Sequence, residues 1–324
     1  MVLIGANGIG KTSVLDVFSL LARSARGELS DAISDLGGLP AIVTYDYAGG
    51  LALGISDGRL QYRLRIHLKG RGYSIQDEAL GDELERQPGD NPLETSLSQA
   101  RKLSPDAEHF RQKLASSTYY RVLDVDPRSP VGLPQPLRPA VLPGTNGEEL
   151  VSCLCHLRET ERDRFEAIED TLRAAFPGFD GLEFPQVAAE TLALTWRDKN
   201  FSQPFYAHQL SGGMLRFLWL ATLLQSTGLT DVTLLDQPEV SLHPDTLSLL
   251  GDLFREAARR TPLVIATHSD RLVRHLEPEE MVVMDANVDG SARLTWADKL
   301  DLGEWLAEYT LDEAWRRGRM GGRA

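Results

Sequence analysis

The chain has 324 residues, of which 42% are hydrophobic and 25% charged, as in an ordinary globular protein of one large or two small domains. Its formal net charge of −13 argues against unaided, nonspecific DNA binding, although it leaves room for a local basic face. No apolar run approaches the length of a membrane span, and the first residues lack a secretory signal pattern. We therefore expect a cytoplasmic protein with no membrane partner.

A phosphate-binding loop opens the chain. Residues 5–12, called the phosphate loop below, are GANGIGKT and match G-x-x-x-x-G-K-[ST] completely. Apolar residues before the loop indicate a strand and those after it a helix, so a phosphate would lie at a helix N-terminus. Lys11 can reach the β- and γ-phosphates, and the Thr12 hydroxyl can bind Mg²⁺. We predict ATP and Mg²⁺ as cofactors, with ATP bound by Asn7, Gly8, Ile9, Gly10, Lys11, Thr12 and Ser13.

The next part of the chain is predicted to be β-structure. Between residues 41 and 75, apolar residues recur with period two at Leu60, Tyr62, Leu64, Ile66 and Leu68. This alternation is typical of an antiparallel meander with one buried face. Residues 76–105 are rich in Gly, Pro, Asp and Glu and are expected to form a mobile surface segment. A short helix is predicted over 106–116.

The middle of the chain carries weaker signals. Residues 124–147 hold six prolines and fit no regular element, whereas 148–176 has long helical spacing and 182–196 is predicted to form two strands. Cys153, Cys155 and His156 lie together, but no second Cys/His pair accompanies them. Because residues two apart on a helix do not face each other, we expect a buried structural role there.

From residue 209 onward, strands and helices alternate. The sequence LSGG at 210–213, called the signature loop below, precedes an apolar helix over 215–224, with Ser211 placed to cap it. Apolar runs at 232–235, 263–266 and 281–284 are typical of strands covered on both faces, and a helix is predicted over 244–260. An amphipathic tail follows over 302–315. This alternation predicts a parallel α/β sheet.

Three motifs stand in the order that an ABC-type ATPase needs. The apolar run at 232–235 leads to Asp236, whose carboxylate can hold Mg²⁺ opposite Thr12. His268 ends a later strand and can contact a γ-phosphate. A γ-phosphate can also be gripped by the helix N-terminus formed by Ser211, Gly212 and Gly213.

Together these residues resemble the ABC-type ATPases of the SMC/RecF/OLD group, and above all its stand-alone, RecF-like bacterial AAA-family members. The sequence DQPEVSLHP at 236–244 is similar to that group's DEPExxLHP, and residues 305–311 and 321–323 look like its C-terminus. The resemblance implies an α/β P-loop fold of ABC-ATPase type, with a mixed sheet, an antiparallel meander and a helical insertion. The expected parts are residues 1–75 and 206–324 for the ATPase lobe and 76–205 for the insertion.

The resemblance also implies an ATP-dependent, head-to-tail homodimer. Two ATP molecules would lie between the phosphate loop of one subunit and the signature loop of the other, with residues 240–243 at the seam. Members of the group act in DNA repair, chromosome handling and phage defence, so DNA is a possible partner. The chain ends too soon after His268 for a TOPRIM nuclease, and we expect a separate effector protein.

The chain departs from the group's pattern at its catalytic position. Gln237 stands where the group has a glutamate, and an amide can hydrogen-bond the attacking water but cannot take its proton. The chain is either an engineered form that traps ATP or a natural weak ATPase. Glu239 is either a substitute base or a structural acid at the dimer seam.

Two further features of the group are hard to place. The group has a glutamine in its so-called Q-loop, and Gln135 is the candidate for that residue here. The group also has one or two antiparallel strands before the phosphate loop, whereas Met1 almost adjoins the loop here, so we expect the start to be trimmed or misassigned.

Two functions remain open. The leading one is an ATPase switch that signals to or loads a partner, and the second is a nucleotide-gated assembly module with negligible turnover, consistent with Gln237. A transporter subunit fits poorly with the Leu-His-Pro motif and with the long separation of Thr12 from Ser211. A small-molecule kinase would share only the phosphate loop.

Overall fold

A computed structural model describes residues 1–43, 49–70, 72–87, 89–100, 102–288, 290–300 and 310–317. They form two compact units, and each has its own hydrophobic core. The first unit comprises Met1–Thr12, Tyr119–Leu229 and Thr233–Ala324, and the second comprises Ser13–Thr118 and Thr230–Val232. These boundaries differ from the three-part division expected from the sequence, because contacts between distant segments define the units.

The strands are, in chain order, β1 Val2–Gly5, β2 Gly50–Ser56, β3 Gln61–Lys69, β4 Gly72–Leu80, β5 Leu84–Glu85, β6 Thr118–Tyr120, β7 Gln135–Pro136, β8 Phe179–Glu183, β9 Gln186–Ala188, β10 Thr191–Leu192, β11 Thr195–Asp198, β12 Phe205–Tyr206, β13 Thr233–Asp236, β14 Leu263–Ala266, β15 Met281–Ala286 and β16 Ala292–Trp296. The α-helices are α1 Lys11–Arg26, α2 Leu29–Asp35, α3 Leu39–Ile42, α4 Ser96–Gln99, α5 Pro105–Ser116, α6 Leu150–Thr160, α7 Arg162–Ala175, α8 Gly212–Gln225, α9 Leu247–Ala258, α10 Asp270–Val273 and α11 Leu311–Arg316.

A six-stranded sheet in the order β16-β15-β1-β14-β13-β6 organises the first unit. β1 pairs in parallel with β14 and β15, β13 pairs in parallel with β14, and β16 runs antiparallel to β15. The sheet is therefore mixed, as predicted. Every residue of β1 and β14 is buried, which is why these strands are continuous apolar runs rather than alternating ones.

Helix α8 runs through the core of the first unit. Residues 217–225 of this helix are all buried, so it is apolar on every side, as expected for a helix surrounded by other elements. The predicted cap is confirmed, since the Ser211 Oγ accepts a hydrogen bond of 3.2 Å from the Met214 N–H. The helix predicted over 244–260 begins as a 3₁₀ turn, Pro244–Thr246, and continues as α9.

The helix predicted over 148–176 is two helices, α6 and α7. The chain leaves helical geometry at Glu161, with φ −135° and ψ 59°. The Glu161 carboxylate accepts a hydrogen bond of 2.7 Å from the Thr227 hydroxyl and pairs with Arg164 at 3.1 Å. A contact with a distant residue thus accompanies the break, and no glycine or proline marks it. The two strands predicted over 182–196 are four short ones, β8 to β11.

The second unit is built on the four-stranded antiparallel meander β2-β3-β4-β5, which confirms the period-two prediction. The prediction of a mobile segment over 76–105 is wrong for its described residues, because they include the end of β4, β5 and α4. Glu78 explains the difference. Its fully buried carboxylate accepts hydrogen bonds from the Tyr62 hydroxyl at 2.9 Å and from the backbone N–H groups of Ser96 and Leu97 at 2.6 and 2.8 Å.

The tail element predicted over 302–315 lies partly outside the described residues, and its described part forms α11. Residues 321–323, which carried part of the resemblance, also lie outside them. In the described part of the chain, no helix has the length and apolar character needed to cross a membrane.

We expect Glu78→Ala to lower the free energy of unfolding by about 3–5 kcal/mol, because it breaks the buried ion pair with Arg86 and leaves the Tyr62 hydroxyl and the N–H groups of Ser96 and Leu97 without an acceptor. Urea unfolding followed by circular dichroism measures the change. Asp82→Ala removes an exposed acid two residues beyond β4 and should change it by about 0.5 kcal/mol or less. Equal effects of the two substitutions would contradict the assigned role.

Candidate nucleotide site

The phosphate loop connects the end of β1 to the start of α1, as predicted. At Gly5 a Cβ atom would lie 2.4 Å from the Met284 carbonyl oxygen, so the close approach of β15 requires glycine there. Gly8 and Gly10 have φ of 77° and 98°, in the region that favours glycine. The glycines of the motif thus have two separate causes, backbone contact at the strand end and left-handed geometry within the loop.

Lys11 is 3% exposed although it carries a charge. Its Nζ donates hydrogen bonds to the carbonyl oxygens of Gly5 at 2.6 Å and Ala6 at 2.8 Å, so its side chain folds back under the loop. Burial lowers the pKa of Lys11 to about 8, and the carboxylates of Asp236 and Glu239 oppose that shift. The loop therefore holds a desolvated cation at the place where phosphates bind in P-loops.

Asp236 lies at the end of β13, and Thr12 contacts it across the sheet edge. The Thr12 hydroxyl donates to the Asp236 Oδ2 at 3.3 Å, and the Tyr119 hydroxyl donates to the same oxygen at 3.2 Å. The Asp236 Oδ1 is buried and has no hydrogen-bond partner among the described residues. A hydroxyl oxygen beside an unpartnered carboxylate oxygen suits Mg²⁺, which prefers oxygen ligands and takes the rest from phosphates and water. Thr12 and Asp236 therefore fit the predicted metal.

The turn after β13 is fixed in an uncommon backbone conformation. Gln237 has φ 49°, which is rare for a residue with a side chain, and its N–H donates to the Ala266 carbonyl oxygen at 2.8 Å. The side chain of Gln237 lines a small cavity together with Arg121, Arg216 and Trp219. The pairing to the end of β14 thus holds position 237 directly beyond the carboxylate of Asp236.

Glu239 connects this turn to the loop after β14. Its Oε1 accepts hydrogen bonds from the Thr267 hydroxyl at 2.6 Å and from the His268 N–H at 3.2 Å. Its Oε2 is buried without a partner among the described residues, and burial raises the pKa of this carboxyl. Burial and the nearby Lys11 charge lower the pKa of His268, which favours a neutral imidazole.

The signature loop packs against the segment after Glu239. A Cβ atom at Gly213 would lie 2.6 Å from the Ser241 carbonyl oxygen, and one at Gly212 would lie 2.9 Å from the Val125 Cγ2. Ser241 also has a left-handed φ of 63°. Ser211 is exposed, and within the described residues no hydrogen bond joins the signature loop to the phosphate loop of the same chain.

The remaining predicted residues differ in their surroundings. Asn7 and Gly8 form the exposed tip of the phosphate loop, Ile9 is half-buried, and Ser13 is an exposed residue of α1 directly after Thr12. Cys153 and Cys155 are buried in α6, as predicted, and burial raises the pKa of the Cys153 thiol to about 11. Among the described residues, no three His, Cys, Asp or Glu side chains lie close enough to hold a metal ion.

The prediction of Gln135 as the Q-loop residue is wrong. Gln135 is 3% exposed. Its Nε2 donates to the carbonyl oxygens of Pro130 at 3.0 Å and Gly147 at 2.6 Å, and its Oε1 accepts from the Val151 N–H at 3.0 Å. Both ends of the amide therefore hold the proline-rich connector against α6 and leave nothing for a nucleotide.

Two residues near Asp236 and Glu239 were missed by the sequence analysis. Tyr119 reaches Asp236 because β6 is the neighbour of β13 in the sheet, and Thr267 reaches Glu239 because β13 and β14 end together. The run Thr118-Tyr119-Tyr120 is a β-prone signal, but which strand it joins cannot be read from it. Only the strand order reveals these contacts.

The fold and this arrangement of loops define a P-loop ATPase. Over residues 1–274 the chain matches the family described as "AAA domain, putative AbiEii toxin, Type IV TA system", and it belongs to that family. No curated protein matches it.

Among solved structures, the chain is similar to an Smc head bound to the C-winged helix domain of ScpA, with 16% identity, a TM-score of 0.58, and coverage of 91% of this chain and 89% of that one. It is also similar to an Smc head with an extended coiled coil, bound to the C-terminal domain of ScpA, from Pyrococcus furiosus, with 12% identity, a TM-score of 0.58, and coverage of 95% and 93%. At these identities the likeness establishes the fold, and it confirms the predicted α/β fold with a mixed sheet and antiparallel strands.

We expect the affinity for ATP to fall as the pH rises above about 8, because ATP attracts the protonated amine of Lys11, whose pKa without nucleotide is about 8. Below that pH the amine is already charged and the Kd stays flat. Above it, binding must take up a proton, and the Kd rises by up to about tenfold per pH unit. Isothermal titration calorimetry in buffers of different ionisation enthalpy counts that proton.

Lys11→Arg is the matched control, because a guanidinium stays charged throughout this range and any binding should lose the pH dependence. Lys11→Ala should abolish binding. Retained affinity in that variant would overturn the assignment of the phosphate loop, and a flat Kd without proton uptake in the unsubstituted chain would contradict the lowered pKa.

Proposed function

We propose that this ATPase is a switch that binds Mg·ATP, closes into a head-to-tail homodimer around two nucleotides and transmits its state to a separate effector protein. The observation that carries the proposal is the contact of Thr12 with Asp236, whose second carboxylate oxygen is buried and unpartnered. That contact supports a metal site near the buried Lys11 amine, since the Asp236 carboxylate is close enough to act on the pKa of Lys11. The Lys11 side chain and the Asp236 Oδ1 are both buried at this sheet edge, which suits the binding of a polyanion with its metal ion.

ATP would lie along the phosphate loop, with its phosphates over the backbone N–H groups of residues 7–12 and the start of α1. Mg²⁺ would be held by Thr12 and Asp236, and it would neutralise phosphate charge. Lys11 would exchange its two carbonyl contacts for phosphate oxygens. Tyr119 would keep the Asp236 carboxylate in place through its hydroxyl.

Hydrolysis would be slow in this chain. Gln237 follows Asp236 directly and can orient a water molecule, but its amide cannot accept the proton that the water must lose. Glu239 has one free oxygen and a raised pKa, which suits a base, whereas its hydrogen bonds from Thr267 and His268 suit a structural clamp. We favour the clamp, because these hydrogen bonds fix the Thr267 side chain and the backbone of His268 at the end of β14.

The homodimer is supported by the surroundings of the signature loop. Ser211 is exposed at the N-terminus of α8, whose first-turn N–H groups favour an anion. The absence of a hydrogen bond to the phosphate loop of its own chain, within the described residues, leaves this N-terminus for the nucleotide of a second subunit. Gly213 contacts Ser241, so a displacement of the seam residues 240–243 would move the signature loop as well.

Gln237 also favours a second function, a nucleotide-gated assembly module with negligible turnover. The biological setting we propose is phage defence or DNA repair. The family description names a putative toxin of a type IV TA system, which favours the first setting and a protein partner. Both functions require ATP-dependent assembly of the dimer, and they differ in the rate at which ATP is hydrolysed.

Gln237→Glu should raise Mg·ATP turnover by about 10²–10⁴-fold, the usual contribution of a positioned base, as measured by phosphate release. Glu239→Gln, made alone and combined with Gln237→Glu, separates the two roles of Glu239. A clamp lowers turnover by a similar factor in both backgrounds, whereas a substitute base matters only where residue 237 is glutamine. Equally slow turnover with and without Gln237→Glu would favour the assembly module.

Ser211→Arg should leave the Kd for ATP unchanged and prevent ATP-dependent dimers, because a bulky cation would replace the cap at the N-terminus of α8. Light scattering with Mg·ATP measures the mass of the particle. Ser202→Arg adds the same charge at an exposed position outside the signature loop and should still dimerise. Dimers formed by Ser211→Arg would exclude the head-to-tail arrangement.

A further inference from the structure

The solvent face of the meander carries a row of cations. Along β3, Tyr62, Leu64 and Ile66 are completely buried, so the residues that alternate with them and continue the period to the end of the strand point to the other face and are exposed. Four of these exposed residues form the basic stripe: Arg63, Arg65, His67 and Lys69. At about 3.4 Å per residue, successive members lie about 7 Å apart and the stripe is about 20 Å long.

Small side chains border the stripe on β2. In the strand register, Gly54 lies opposite Arg63, Ala52 opposite Arg65, and Gly50 opposite His67. On the β4 side, Ser74 lies opposite His67 and Gly72 opposite Lys69. The side chains of the stripe are therefore longer than those opposite them, and a long rigid ligand can reach them; Asp77, opposite Arg65 beside an irregularity in the β3–β4 pairing, is the exception to the small neighbours.

No carboxylate of the described residues forms an ion pair with the stripe. Within the described residues, none of its four side chains forms a hydrogen bond or an ion pair, whereas other arginines of the chain, such as Arg111, Arg197 and Arg255, pair with carboxylates. Asp77 lies opposite Arg65 in the register, yet no ion pair joins them. Neighbouring like charges repel each other, so binding an anion relieves a cost already present in the folded chain.

We propose that the basic stripe binds the phosphate backbone of double-stranded DNA. A row of basic side chains at the regular spacing of one strand suits the repeating charges of a duplex, which are contacted without reading the sequence. Single-stranded nucleic acid would call for exposed aromatic side chains on which bases stack, and a protein partner for apolar anchors. No large apolar side chain on the described residues of β2, β3 or β4 is among the exposed ones.

The net charge of −13 does not oppose contact at this surface. Salt screens charges beyond about 10 Å at ordinary ionic strength, so a bound duplex is attracted by the stripe more than it is repelled by distant carboxylates. The inference concerns the second unit alone, and it does not depend on ATP-driven dimerisation.

The test uses the full chain and a labelled 30-base-pair DNA, with binding followed by fluorescence anisotropy from 50 to 200 mM salt. The variant Arg63→Ala/Arg65→Ala/Lys69→Ala should bind more weakly, and the slope of log Kobs against log salt should fall in magnitude by about 2.7, or 0.9 for each lost phosphate contact. Arg138→Ala/Arg162→Ala/Arg259→Ala removes the same charge from exposed positions of the first unit and should keep the slope of the natural chain.

Three results would overturn the proposal: no DNA binding by the natural chain at 50 mM salt, equal losses in the two triple variants, or tighter binding of single-stranded DNA or polyglutamate than of the duplex. ATP titration of each variant separates this proposal from the function proposed above. Unchanged ATP affinity with lost DNA binding supports the proposal. Loss of both shows that the triple variant has a folding defect. The single variant Lys69→Ala then tests the stripe without that defect.

Discussion

The site depends on the parallel pairing of β14 with β1 on one side and with β13 on the other. Parallel strands end at the same edge of a sheet, so this pairing brings together the loops that follow them. Thr12 and Asp236 are 224 positions apart in the chain and yet their side chains form a hydrogen bond. The same edge holds Gln237, whose N–H is bonded to the last residue of β14. The chemistry of the site follows from this alignment of strand ends.

Burial is the common cause of the charge states at this edge. It lowers the pKa values of Lys11 and His268 and raises that of Glu239, so in each case the charged form is disfavoured. Partner groups limit the shifts, since Lys11 is near two carboxylates and Glu239 accepts two hydrogen bonds. ATP with its Mg²⁺ would bring charges close to these buried groups, whose charged forms water no longer stabilises. The site is therefore prepared for a nucleotide by the exclusion of water.

The presence of an amide instead of a carboxylate at position 237 separates two functions that share every other feature of the chain. A carboxylate there would take a proton from water, whereas the amide of Gln237 can only orient it. Assembly around ATP does not need that proton transfer. The basic stripe adds a surface in the second unit whose use does not depend on the chemistry in the first. The proposed nucleotide site and the proposed DNA surface thus use different side chains of one chain.

The sequence determined those features that depend on neighbouring residues. The phosphate loop, the cap at Ser211, the buried parallel strands and the period-two meander could all be predicted, because each is set by local hydrogen bonding or by the side-chain period of one element. The tertiary structure decided what depends on distant partners. Gln135 holds a connector, Glu78 organises a segment that is polar in composition, and Tyr119 meets Asp236. Strand order and packing between segments far apart in the chain fix which side chains are buried and which atoms they contact. The composition and spacing of one segment therefore cannot predict either.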